Sequence, residues 1–340
     1  MSKKNNHGLN YTSGMLQSWN KFCFTGGIME VNVSLPGTGT VSGLWPGVWT
    51  LGNLARAGHG ATTDGIWPYS YDSCDIGVTA NQSSTQASFL PGQRLNKCVC
   101  SGDHPNPGIG RGGPELDVLE GAASDGRFRN QGSVSQSAQI APFDANLDVK
   151  ASALTLQTGT IGKVGKTIIN SYQGGVYQEA VSAVTGVDAT FFGGLGFQTF
   201  AMEYLPTGQV PSQDGYVQWS VAGQNTFKIN DSAIGPNPAS QVSQRLISRE
   251  PMSIVLNLGM SDSFSVADFA NLVFPVVFHI DFVRIYQHPD RHSITCDPPD
   301  MPTSQYIQDH YNAYVNPNLT TWAQAGYSFP DYSLRNAGQC

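Results

Sequence analysis

The chain has 340 residues, with 18 Lys and Arg against 25 Asp and Glu, a formal net charge of −7, 13% charged residues, 40% hydrophobic residues, 38 Gly and 20 Pro. It is too apolar and too sparsely charged for a disordered chain, and too poor in Lys and Arg for nucleic acid or an anionic membrane surface to be its main partner. So much Gly with so few charges suits strands and tight turns better than helical bundles.

The N-terminal Met1-Ser-Lys-Lys-Asn-Asn-His-Gly8 has no apolar stretch and is not a signal peptide. Short apolar runs bounded by Gly, Pro, Asn and Asp then follow. They predict strands over 28–35, 44–51, 116–119, 133–141, 197–205, 215–222, 226–230, 253–258 and 276–286. Between the second and third lies a long Gly/Pro/Ser-rich stretch, 53–113, of a length that is usually functional or braced. No run is long enough to span a membrane; the richest, Leu272 to Phe278, is broken by Pro275. One helix is expected over 305–315, capped by Thr303 or Ser304 and ended by Asn316-Pro317. Many short strands with little helical periodicity indicate an all-β sandwich or barrel. The organisation expected is a body over 1–288 and a Cys-bracketed, Pro-rich extension over 289–340.

Six cysteines, Cys23, Cys74, Cys98, Cys100, Cys296 and Cys340, allow 15 full pairings, and spacing does not choose among them. Cys98-Val-Cys100 lacks a second pair at zinc-site spacing, so disulfides are expected rather than metal. Sequons at Asn10, Asn32, Asn81, Asn230 and Asn318 agree with an oxidising, secretory setting. Asn32 falls in an expected strand, which leaves Asn10, Asn81, Asn230 and Asn318 as the glycosylation candidates.

The chemistry concentrates in Gly112-Gly-Pro-Glu115-Leu-Asp117-Val-Leu-Glu120. Six random positions of this chain would hold about 0.4 acids; Glu115 to Glu120 holds three. Alternation puts Glu115 and Asp117 on one face of a strand. Glu120 joins them only if a β-bulge intervenes, and bulges commonly re-aim side chains at active sites. Two carboxyls about 5 Å apart suit retaining glycoside hydrolysis, and a third between them separates their pKa values. The roles expected are Glu115 as nucleophile, Glu120 as general acid/base and Asp117 as the positioning and tuning residue. Solvated surface acids are the plain alternative. Apolar Leu116, Val118 and Leu119 argue instead for a strand inside the sandwich, where acids line a cleft. Calcium ligation lacks its Asp/Asn-rich spacing. Trp45, Trp49, Trp67, Tyr69, Tyr71 and Trp219 are candidates for stacking on sugar rings, with a core role as the alternative for each tryptophan of the 44–51 run.

Other matches fail. Gly108-Ile-Gly-Arg-Gly-Gly113 precedes a strand rather than a helix, so it is no nucleotide loop. His288 and His292 are separated by Pro289 and Asp290, which spoils a helical metal pair. A serine nucleophile elbow is absent. The reading requires no cofactor and no metal.

Gly27-Ile-Met-Glu-Val-Asn-Val-Ser-Leu-Pro36, Leu44-Trp-Pro-Gly-Val-Trp49, Glu115-Leu-Asp-Val-Leu-Glu120, Ile254-Val-Leu-Asn-Leu258 and Ile280-Asp-Phe-Val-Arg-Ile-Tyr-Gln287, in that order, resemble glycoside hydrolase family 16. The segment His7 to Asn20, Asp103-His-Pro-Asn-Pro-Gly108 and the tail from Cys296-Asp-Pro-Pro to Trp322 resemble its fungal β-1,6-glucan synthesis-associated branch. The resemblance implies a two-sheet jelly roll of the concanavalin A type, with a short helical tail. It implies β-glucan as ligand, a retaining glycosidase or transglycosidase chemistry on Glu115, Asp117 and Glu120, and a role in fungal wall assembly. It also implies a secretory-pathway or cell-surface location, through a membrane anchor ahead of His7. Early strands would lie there too, and without them the sandwich has an unpaired edge. The competing function is a non-catalytic glucan-binding module or scaffold, which has no use for paired acids.

Overall fold

Apolar residues spaced by two carry one face of successive strands into a shared interior. Met29, Val31 and Val33 do so in one strand, Phe200, Met202 and Tyr204 in another, and Val217, Trp219 and Val221 in a third. In the computed structural model, which describes residues 1–81, 90–100, 102–128, 131–143, 147–175, 177–194 and 196–335, this pattern builds two facing antiparallel sheets. Cys340 lies outside the described residues, as does Ser83 of the Asn81 sequon.

The strands in chain order are β1 (Ser2–Asn6), β2 (Leu9–Thr12), β3 (Met15–Gln17), β4 (Cys23–Phe24), β5 (Gly27–Ser34) and β6 (Leu44–Gly52). After the long loop come β7 (Glu115–Asp125), β8 (Gln131–Ile140), β9 (Leu154–Leu156), β10 (Val164–Ile169), β11 (Gly174–Gly175) and β12 (Gln178–Val187). The last five are β13 (Gln198–Leu205), β14 (Tyr216–Val221), β15 (Gln224–Asn230), β16 (Met252–Met260) and β17 (His279–Tyr286). One sheet runs β10-β12-β8-β7-β6-β16-β3, with β11 beside β12 and β4 beside β16; the other runs β17-β5-β13-β14-β15-β9. The fold is the expected all-β jelly-roll sandwich, with β1 and β2 as a separate hairpin.

Several expectations change in detail. The run 116–119 is the start of an eleven-residue strand. Strand β12 was not expected at all. Its Ser, Ala, Val, Thr and Gly are buried on both faces, which erases alternation. The single helix over 305–315 is two short ones, α1 (Ser304–Asp309) and α2 (Tyr311–Val315), parted at His310. His310 Nδ1 turns back to Tyr306 O at 2.7 Å, and its Nε2 lies 2.8 Å from Asp103 Oδ1. Neither Thr303 nor Ser304 caps α1 with its own side chain. Asp297 Oδ1 accepts from Thr303 N at 2.7 Å and Ser304 N at 2.8 Å.

The extension shares a core with the body. Tyr306, Ile307, Ala313, Tyr314 and Trp322 pack with Leu51, Leu54, Leu95 and Val255. Buried Arg111 makes a two-pronged ion pair with Glu250 and also donates to Pro302 O at 2.9 Å. Disulfides join Cys23 to Cys296 and Cys74 to Cys98, and Cys100 is not free. The glycine run 108–113 serves packing: a Cβ on Gly110 or Gly112 would collide with the carbonyls of Tyr71 and Tyr69. Among the described residues β17 pairs only with β5, and its Ile280, Val283 and Ile285 stay half-buried, so this edge of the sandwich is open. Asn10, Asn81 and Asn318 are exposed, Asn230 is half-buried, and Asn32 in β5 donates to Asp281 at 3.0 Å.

The Cys23–Cys296 bridge closes a loop across a separation of 273 residues. Cys296→Ala is expected to lower stability by about 3 kcal/mol in denaturant unfolding and to make the 289–335 segment the first site of limited proteolysis.

Candidate active site

The site is set by one extra residue in β7. On the β6 side, Val48 pairs with Leu119 and its neighbour Trp49 with Asp117; on the β8 side, Ser137 pairs with Asp117 and Ser135 with Glu120. Val118 is therefore the bulged residue, as the spacing of the acids required. Val118 and Leu119 both enter the core, and the side-chain alternation resets. Glu115, Asp117 and Glu120 consequently line one cleft of about 350 Å³ together with Trp45, Trp49 and Asn257.

A bulge pulls backbone groups out of the ladder, and two side chains satisfy them. Trp219, fully buried on the opposite sheet, donates its indole N–H to Asp117 O at 2.7 Å. Gln136 reaches Val118 O at 3.4 Å, and its own carbonyl accepts from Thr226 at 2.6 Å. Trp219 thus supports the site from behind and cannot stack on a ligand. Tyr69 and Tyr71 are also largely buried, though Tyr69 borders a second cavity beside Trp67. Both rings are about 1% exposed and belong to a core cluster with Phe143, and the Tyr71 hydroxyl donates to Asp75 at 2.5 Å.

The other three candidate tryptophans, Trp45, Trp49 and Trp67, flank the acids. Trp45 Nε1 donates to Glu120 Oε1 at 2.8 Å, and its ring stacks on Phe264 at 4.5 Å. Trp67, carried by the long loop, donates from Nε1 to Glu115 Oε2 at 2.6 Å. Trp49 donates to Asn257 Oδ1 at 2.7 Å, beside Gly47, where a Cβ would crowd that same oxygen. Asp117 is buried and accepts from Ser137 at 2.7 Å and Gln139 at 3.1 Å. Sequence reasoning missed Ser137, Gln139, Asn257 and Phe264. The first two had a signal, since polar residues alternate along the expected 133–141 strand.

All three carboxyls are held above the usual carboxylate range. Burial is the main cause for each. Glu115 is raised further by the charges of Asp117 and Glu120 and by a hydrogen bond to Asp117, against the opposing bond from Trp67. Glu120 is pushed up to about 8 by burial and by Asp117, against the bonds from Trp45 and Ser137. Hydrogen bonds from Ser137, Gln139 and Glu115 restrain the rise at Asp117. Carboxyls that interact this closely do not titrate independently. Among the described residues no three His, Cys, Asp or Glu side chains form a metal-binding group.

The chain matches over residues 1–340 the family described as beta-glucan synthesis-associated protein SKN1/KRE6/Sbg1. It belongs to that family. It is 50% identical over 341 residues to the beta-glucan synthesis-associated protein KRE6 of Saccharomyces cerevisiae, covering 98% of this chain and 45% of that protein. It is 48% identical to SKN1 of the same yeast over 331 residues, 96% of this chain and 41% of that one. The chain thus spans less than half the length of these relatives. Among solved structures, the laminarinase catalytic domain of Thermotoga maritima is 18% identical with a TM-score of 0.43, covering 85% of this chain and 74% of that one. No helix among the described residues is long and apolar enough to cross a membrane.

Two outcomes follow for the SKN1/KRE6/Sbg1 chain. Trp219→Phe keeps an aromatic side chain but leaves the buried Asp117 carbonyl without its donor and a smaller ring in the core, and is expected to cost at least about 1 to 3 kcal/mol in urea unfolding. The raised carboxyls fix the sign of a pH effect. A carboxyl whose pKa is higher in the folded state stabilises fully below its unfolded value, and that contribution is lost as pH rises through the folded value. Glu120→Gln is therefore expected to raise the melting temperature relative to wild type by about 2 °C or more at pH 8, with the advantage shrinking towards pH 4.5.

Proposed function

We propose that the cleft is a retaining β-glucan glycosidase or transglycosidase site serving β-1,6-glucan assembly in a fungal wall. The observation that carries this reading is the Val118 bulge, which gathers three acids of one strand on one cleft and leaves each outer acid under its own indole N–H. A binding surface needs no such arrangement, since clustered buried acids are costly without a chemical use.

In the proposed reaction Glu115 attacks the anomeric carbon as Glu120 gives its proton to the departing glycosidic oxygen. The bond from sugar to Glu115 forms while the glycosidic bond breaks. Glu120, now ionised, takes a proton from water or from an acceptor sugar hydroxyl, whose oxygen displaces Glu115. A pKa of about 8 keeps Glu120 protonated near neutral pH, as the first step needs. Glu115 must enter that step ionised. Its hydrogen bond to Asp117 is the route by which its proton passes to Asp117, and the Trp67 N–H stabilises the carboxylate that remains. Trp45 and Trp49 supply rings at the cleft for the sugar's C–H face. The disulfides support assignment of this step to the secretory lumen or cell surface.

The test uses defined β-1,3- and β-1,6-glucan oligosaccharides with product masses read directly. Glu120→Gln is expected to lower kcat by about 10²- to 10⁴-fold, and Glu115→Gln to leave no turnover above background, both at unchanged fold. Products longer than the substrate mark transfer, and shorter ones hydrolysis. Full turnover by Glu115→Gln would sink the assignment. Retained glucan binding with no turnover in wild type would establish a binding module.

A further inference from the structure

A second cavity, of about 260 Å³, is lined by Trp67, whose indole N–H reaches Glu115. Three separate segments meet there. Thr63, Asp64 and Trp67 come from the long loop, Tyr177 from the approach to β12, and Thr320 from the extension. The assembly is braced: Ala61 N donates to Leu319 O at 3.0 Å, and Trp322 donates from Nε1 to Asp64 O at 2.9 Å and from its backbone N to Asp64 Oδ2 at 3.3 Å. Trp67 links this cavity to the acids, since it lines the cavity and donates from Nε1 to Glu115 Oε2.

We propose that this cavity binds a pyranose unit of the glucan chain beyond the reacting bond, and that filling it steadies Trp67 on Glu115. The inference rests on the glucan reading above and adds a site built from the extension and the long loop. Its lining matches a neutral sugar. Trp67 and the 66% exposed Tyr177 offer ring faces, while Asp64 and two threonines offer partners for hydroxyls. A carboxylate in the wall disfavours phosphate or any other anion. The volume falls just below the range of drug-sized pockets, in keeping with a single ring. A sugar resting on Trp67 restrains the indole whose N–H stabilises ionised Glu115. Binding energy gained away from the reacting bond is thereby spent at the nucleophile.

The experiment is calorimetric titration of β-1,3- and β-1,6-linked disaccharides and hexasaccharides into the Glu115→Gln protein, with and without Tyr177→Ala or Thr320→Trp. Tyr177→Ala removes a ring face, and Thr320→Trp fills the cavity; both positions are exposed, so the fold is retained. Each change is expected to weaken the hexasaccharide about tenfold and the disaccharide by less than about twofold. In the active protein the same changes should lower kcat on the hexasaccharide as well as raise KM. Equal losses at both lengths, or none, overturn the proposal and leave the glucan reading standing. If no oligosaccharide binds even without the second change, the glucan reading falls and takes this site with it.

Discussion

One extra residue in one strand governs the rest of the molecule. Without the bulge at Val118, strict alternation would send Glu120 into the interior and Leu119 into the cleft. With it, three acids share a face and two apolar residues in succession enter the core. The bulge has structural costs that the two sheets meet together. It releases carbonyls, and the donors come from Trp219 across the sandwich and Gln136 on the neighbouring strand. The inter-sheet core therefore sets the geometry of the cleft as well as the stability of the fold.

The aromatic residues divide according to this geometry. A sequence rich in Trp and Tyr near an acidic cluster suggests stacking platforms, but here the indole N–H groups matter as much as the ring faces. Trp45 and Trp67 each hold one carboxyl, Trp219 holds the backbone between them, and Tyr69 and Tyr71 anchor the long loop against Phe143 and Val242. Trp67 is the member whose position is least local. It rides on a loop held by the Arg111–Glu250 pair, by Arg94 donating to Ser328 O at 2.7 Å, and by a core shared with Tyr314 and Trp322. The extension, remote in sequence, thus holds the donor that contacts Glu115.

Much of this was legible in the chain. Strands β5, β13 and β14 show clean alternation because one face of each is buried and the other is not. The acids and their bulge were legible because Glu-x-Asp-x-x-Glu meets period two only with one inserted residue. Strand β12 was hidden because small residues buried on both faces carry no alternation. The roles of Trp219, Tyr69 and Tyr71 were hidden for another reason: an aromatic side chain reads the same in sequence whether it faces a ligand or a core. The family match adds the β-glucan association but does not reach the chemistry of individual side chains.

The low charge of the chain bears on the cleft directly. Its buried arginines are already committed: Arg94 to Asp103, Arg111 to Glu250 and Arg245 to Glu179. No Lys, Arg or His is among the described residues lining the cleft. The three acids meet indole, hydroxyl and amide donors instead. A cation beside them would hold the carboxyls ionised and pull all three pKa values down. Without one, burial sets the direction, and all three carboxyls stay raised. The lack of cations in the described lining of the cleft and the raised carboxyls are thus parts of one electrostatic arrangement.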